Sequence, residues 1–226
     1  MSAPRWKKAL ERALDANKKS VVYSFATVDL SVQPPQPRTR TVVHRGFVEP
    51  KGASHPLLLT TTDIRAAKVH ELNGDANAEL AWWIEGTQEQ WRLASRAYIV
   101  PHPEHAEQVK IPQALFDIAD GHFWEKERER IFNSLSGHMR ASWARPAPGS
   151  PIPSYDEGKK WPEKLGGLGE GKNEEEEQVI RKAFENFALV VLQPFAVDYV
   201  ELGVVPNQRT KFTQAGETWK EVIVVP

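Results

Sequence analysis

Two β-rich runs, residues 78–84 and 89–100, are separated only by a short loop carrying Gly86 and Thr87. A tight turn can join antiparallel strands, whereas parallel strands need a crossover of a dozen or more residues. The pair therefore reads as an antiparallel hairpin. From residue 78 onwards the pattern is antiparallel β, not strands alternating with helices. Further β-rich runs lie at 21–28, 41–47, 57–62, 187–192, 197–205 and 218–225, most of them bounded by Pro, Gly or Asn. So many strands can close on themselves, and closure removes exposed edges. The expected fold is mainly β with added helices: a small antiparallel barrel with helices plugging its ends, formed as one domain over 1–226.

The helical additions follow from a 3.6-residue period. Trp6, Ala9, Leu10, Ala13 and Leu14 mark an N-terminal helix within 1–18. Residues 64–72 form a short amphipathic segment, and Asn73-Gly74 is a plausible end for it. Residues 104–145 read as a helical insertion, which Pro146-Ala147-Pro148-Gly149 terminates. Residues 154–178 read as a long polar, mobile loop. The run Glu174-Glu175-Glu176-Glu177 then opens a helix to about Asn186, because acidic side chains favour a helix N-terminus.

Composition narrows the function classes. Lys plus Arg total 29 against 30 Asp plus Glu, a formal charge of -1. No global charge draws this chain to nucleic acid or an acidic membrane. The chain has no cysteine, which excludes disulfides and thiolate metal sites. No apolar run is long enough to span a bilayer, and residues 1–19 lack a secretory apolar core. A cytoplasmic location is expected. The seven histidines are scattered; His102 and His105 lie close together but without a third ligand at useful spacing, so no metal site is expected. The glycines of Gly166-Gly167-Leu168-Gly169 follow no strand and precede no Lys-Ser/Thr, which argues against a phosphate loop.

A better constellation spans residues 38–68. Arg40 and Thr41 open one strand, Thr61 and Thr62 end its neighbour, and Arg65 and Lys68 follow in the first turns of a helix. A guanidinium fork, an ammonium and hydroxyls at a helix start suit an anion such as phosphate. By spacing alone, solvated surface cations remain an open alternative. Gln90, within Gln88-Glu89-Gln90-Trp91-Arg92, either faces solvent or presents an amide to the edge of a flat heterocycle.

Four stretches, in order, resemble the FMN-binding split barrel of the pyridoxamine 5'-phosphate oxidase-like family, and within it a branch found in cyanobacteria and fungi. They are Arg40-Thr41-Val42-Val43-His44-Arg45, Thr61-Thr62-Asp63-Ile64-Arg65-Ala66-Ala67-Lys68, Glu89-Gln90-Trp91-Arg92, and Leu135-Ser136-Gly137-His138-Met139-Arg140 with its downstream Pro146-Ala147-Pro148-Gly149. The resemblance implies FMN as cofactor and a flavin-dependent oxidoreductase, or alternatively a non-catalytic flavin sensor or carrier. It implies cofactor contacts from Arg40, Thr41, Val42, Val43, Arg45, Thr61, Thr62, Arg65, Lys68, Gln90 and Ser136. It also implies a homodimer and a small phosphorylated or aromatic substrate, with Arg209 as the candidate for the substrate's anionic group. Two departures stand out. Ala67 replaces the first cation of the family's Arg-Lys pair, so Arg65 is expected to stand in for it. Of the C-terminal Trp, His and Arg signature, only Arg209 survives.

Overall fold

The computed structural model describes residues 3–226. The elements are α1 (Arg5–Ala16), β1 (Val22–Asp29), β2 (Gln36–Val43), β3 (Phe47–Val48), β4 (Leu57–Asp63), α2 (Ala67–Gly74), β5 (Asn77–Ile84) and β6 (Glu89–Val100), followed by α3 (Gln113–Phe116), α4 (Gly121–Ser134), α5 (Gly137–Ser142), α6 (Glu174–Asn186), β7 (Phe187–Glu201), β8 (Gln208–Ala215) and β9 (Thr218–Ile223).

The predicted hairpin is present. β5 and β6 pair antiparallel from Asn77 opposite Arg96 to Ile84 opposite Glu89. Along β5 the side chains alternate exposed and buried without a break, the period-2 pattern of a sheet with one face covered. The strands join in the order β2-β1-β5-β6-β7-β4-β3, with β8 and then β9 branching from β7. This path has two ends, so the sheet does not close into the ring expected from strand number.

Several strand assignments differ from expectation. β2 begins at Gln36, and Pro37 pairs opposite Val28. It is the end strand of the sheet path, where a residue without an N–H is tolerated. β7 runs unbroken through Pro194, since the proline φ is compatible with an extended chain. β8 was not anticipated. Its sequence QRTKFTQA is polar and only Thr210 and Phe212 are buried, so its strand state comes from the ladders to β7 and β9 rather than from its own pattern.

The contacts divide the chain into two compact units. The first comprises residues up to Thr60, Glu71–Tyr98 and Val191–Pro226. Its core holds Trp6 and Leu10 of α1 with Phe25, Leu58, Leu80, Trp82, Leu93 and Phe212. There Trp91 stacks on Tyr199 with ring centroids 3.7 Å apart. The second unit comprises Thr61–His70 and Ile99–Val190. Phe132 packs edge to face on both Phe184 and Phe187 at its centre, with Trp143 against Phe187. Asp120 caps α4 and Asn173 caps α6 through side-chain oxygens that accept backbone N–H bonds, as N-cap chemistry predicts. The loop before α6 is fastened locally: the Glu177 carboxylate accepts from the N–H groups of Gly169 and Gly171.

Candidate functional site

The second unit contains the strand-to-helix turn. Its organising group is Asp63, at the end of β4. The Asp63 carboxylate accepts from the Arg65 backbone N–H at 2.9 Å, from Arg65 Nε at 2.9 Å and from Arg65 Nη2 at 2.6 Å. The same Nη2 reaches the carbonyl oxygens of Arg145 at 3.0 Å and Trp143 at 3.4 Å. Trp143 is anchored twice more. Its indole donates to the Thr62 carbonyl at 3.1 Å, and its own carbonyl accepts from Asn186 Nδ2 at 2.8 Å. The Asn186 backbone carbonyl in turn accepts the Ile64 backbone N–H at 2.8 Å. The segment 143–145 is thus laced to the turn by hydrogen bonds from both sides.

The hydroxyls divide. Thr62 is buried; its Oγ1 donates to the Asp63 carbonyl and accepts from Lys68 Nζ, both at 3.1 Å. Thr61 points to the other face of the strand and is half-buried. Ser136 caps α5, where its Oγ accepts the Met139 N–H at 3.3 Å. Arg145 follows the turn's anchored carbonyl, and its Nε is buried without a hydrogen-bond partner among the described residues.

The first unit holds the other predicted residues. In β2, Thr41 is exposed, Val42 is buried and Val43 is half-buried. The Val43 carbonyl accepts from Thr60 Oγ1 at 2.8 Å. Arg40 is paired within the chain: Nη2 donates to the Glu71 carboxylate at 2.6 Å and Nη1 to the Thr27 hydroxyl. Arg45 donates its backbone N–H to Leu59 at 2.8 Å. Its Nε is buried without a partner among the described residues, and burial holds its guanidinium below the ordinary arginine range. His44, beside it, packs on Phe47 and Trp82. Burial first, and then the Arg45 charge, push the imidazole down to about 4.

Gln90 pairs opposite Trp83. Alternation sends Glu89 and Trp91 into the core and leaves Gln90 and Arg92 on the opposite, half-covered face of β6. Arg209 in β8 grips Asp198 of β7 through Nε at 2.9 Å and Nη2 at 2.8 Å, while Arg92 reaches the same carboxylate at 2.6 Å. Hydrogen bonding from Arg209, helped by Arg92, lowers the Asp198 carboxyl below its usual range. Arg92, Asp198 and Lys211 line a cavity of about 290 Å³.

The structure joins Lys68 to Thr62 at this turn and closes Arg65 on Asp63, while Thr61 faces the other side of the strand. It also supplies acidic partners that sequence reasoning passed over: Asp63 for Arg65, Glu71 for Arg40 and Asp198 for Arg209. Asp63, two residues before Arg65 at a strand end, carried a local signal. Glu71 and Asp198 carried none, since each meets its cation across the sheet or from a neighbouring helix. Among the described residues no cluster of three or more His, Cys, Asp or Glu is arranged to hold a metal. Nor is any helix among them long and apolar enough to cross a membrane.

A mostly antiparallel split-barrel sheet, with cations and hydroxyls where a strand passes into a helix, defines a class of flavin-binding protein, and comparison with known proteins agrees. Residues 3–101 match the family model described as pyridoxamine 5'-phosphate oxidase, FMN-binding domain. FMN is accordingly the cofactor of the domain. The chain is 28% identical over 216 residues to pyridoxine/pyridoxamine 5'-phosphate oxidase 2 of Arabidopsis thaliana, covering 92% of this chain and 87% of the relative. A crystal structure of a pyridoxamine 5'-phosphate oxidase-related, FMN-binding protein from Nostoc punctiforme superposes with a TM-score of 0.75 over 100% of both chains at 23% identity. PhzG from Burkholderia lata, solved with tetrahydrophenazine-1-carboxylic acid, gives 0.63 at 12% identity, over 98% of this chain and 91% of its own. These two structures establish the fold.

The residues present fit the phosphate end of FMN. An ammonium, a half-exposed threonine hydroxyl and a guanidinium with an unused buried N–H are the donor types that a phosphate monoester takes.

Proposed function

We propose that this protein is an FMN-dependent oxidoreductase that works as a homodimer. The reading is supported by the turn after β4, where Thr62 holds the Lys68 ammonium and Asp63 and the Arg145 carbonyl brace Arg65. Bound FMN supplies two-electron acceptance at its ring, and the protein supplies placement and electrostatics. Lys68 contributes a point charge and Thr61 a hydroxyl donor. Thr62 holds the Lys68 ammonium in position. Arg40, Thr41, Val42, Val43, Arg45 and Ser136 are carried as further cofactor contacts on the strength of the family resemblance. The Gln90 amide both donates and accepts, which suits one edge of a flavin ring and tunes its electron affinity.

The substrate proposed is a small phosphorylated or aromatic molecule, with Arg209 as its anion-binding group. The Arabidopsis relative makes pyridoxamine 5'-phosphate the first compound to test. A second reading, a non-catalytic flavin binder, is favoured by one observation: Arg209 is already held by Asp198, and the Trp and His of the family's C-terminal signature are absent.

The purified protein is expected to be yellow, or to gain flavin absorbance when FMN is added. A colourless protein that gains none sinks the flavin reading. Turnover of pyridoxamine 5'-phosphate with oxygen, showing a raised KM but unchanged FMN content in Arg209→Gln, supports the oxidase reading. Bound flavin that no phosphorylated or aromatic donor reduces supports the carrier.

A further inference from the structure

The turn has one guanidinium too many for the obvious assignment. Arg65 is the sequence-level candidate for the phosphate, yet its fork is already closed on Asp63 at 2.9 and 2.6 Å, and its Nη2 also serves two carbonyl oxygens. A phosphate would have to displace a carboxylate that matches the fork in bidentate geometry. Asp63 is buried, and stripping it of Arg65 would leave a buried charge unpaired, which is costly. The Arg65 charge is thus largely cancelled where it stands.

Arg145 is placed differently. Its carbonyl is held by Arg65 at 3.0 Å. Two residues earlier, Trp143 is pinned through both its indole and its carbonyl. The next residue is Pro146, which restricts Arg145 to an extended backbone. The main chain at Arg145 is therefore fixed. Its side chain, by contrast, ends in a guanidinium with no carboxylate partner among the described residues and a buried Nε that donates to none of them. Unmade hydrogen bonds of this kind are rare, and each calls for an explanation.

We propose that Arg145 is the guanidinium that binds the phosphate of FMN at this turn, and that Arg65, locked to Asp63, is the positioning residue that presents it. The proposal rests on the FMN reading above. It reassigns the cation missing at Ala67 to a residue 78 positions downstream of that alanine, on the segment that Arg65 and Asn186 fasten to the strand end.

The test compares FMN with riboflavin, which lacks the phosphate, on apo protein. Flavin fluorescence titrations are run on the wild type, Arg145→Gln, Arg145→Lys and Arg65→Gln, with an apo-protein melting curve for each. Arg145→Gln is expected to weaken FMN binding roughly 10- to 100-fold, the scale of one charge-assisted bidentate contact. Riboflavin affinity and the melting temperature should stay at wild-type values, and Arg145→Lys should recover part of the loss. Arg65→Gln should lower the melting temperature as well as FMN affinity, since it uncovers Asp63. Wild-type FMN affinity in Arg145→Gln overturns the assignment, and so does an equal loss for riboflavin. A wild-type protein that binds neither flavin overturns the FMN reading itself, and this assignment with it.

Discussion

Arg128 and Arg145 lie in the same unit, and their surroundings are opposites. Arg128, in α4, is fully buried. Its Nε and Nη2 donate to both oxygens of Glu125, its Nη1 donates to the carbonyls of Phe184 and Phe187, and its Cζ lies 3.7 Å from the centroid of the Phe184 ring. Nothing is left for a ligand. Arg145 has a fixed backbone, a half-exposed side chain and an unused N–H. The difference teaches that a cation's role is read from what its donors already hold, not from its charge or its burial alone. Arg65 stands between the two, since most of its donor set is spent on the chain.

The sharpest break of this comparison is at Arg128. Arg128→Leu leaves two buried carbonyls without a donor and the half-exposed Glu125 without its cation, and is expected to cost about 3–5 kcal/mol, at about 1–3 kcal/mol for each orphaned carbonyl with the lost packing. Urea unfolding measures it. If the variant unfolds at the wild-type midpoint, satisfaction of donors is not what marks a structural arginine here.

A smaller effect tests a histidine that the fold keeps neutral. The His44 imidazole sits at about 4 in the fold against 6.5 for the free side chain. The unfolded chain therefore binds the extra proton first, and stability is lost as pH falls from about 6.5 towards 4. The full effect is at most about 3.4 kcal/mol, from 1.36 kcal/mol per unit. His44→Phe preserves contact with Phe47 and Trp82 and should flatten this part of the stability–pH curve. An unchanged slope between pH 7 and 5 would assign the loss to carboxylates instead.

The smallest change concerns Lys68. Lys68→Met should reduce FMN affinity about tenfold, with a weaker salt dependence than the wild type. Riboflavin binding and the melting temperature should be nearly untouched. Equal losses for both flavins would place Lys68 with Arg128 among the structural cations.

The four motif stretches carried enough information to place the FMN-binding fold, because each is local and their order is preserved. The hairpin at β5 and β6 was legible from alternation and a short turn. The cluster at Thr61, Thr62, Arg65 and Lys68 was legible because all four fall within one strand end and one helical turn. The acidic partners were not. Arg40 meets Glu71 from 31 positions away, and Arg65 meets the Arg145 carbonyl from 80. β8 escaped notice for a related reason, since its polar alternation becomes a strand only when β7 and β9 offer ladder partners on both sides.

What the chain's own order determined, then, is everything decided within a few residues: period-2 burial along β5, the caps on α4 and α6, and the grouping of hydroxyls and cations after β4. These follow from dihedral preference and near-neighbour hydrogen bonding, which act without the rest of the molecule. Tertiary structure alone decided which cations are spent and which are not. Glu71 holds Arg40 and Asp198 holds Arg209, while the Nε of Arg145 is left unused. Those outcomes depend on which carboxylates and carbonyls packing brings within 3 Å, and that is a property of the folded chain.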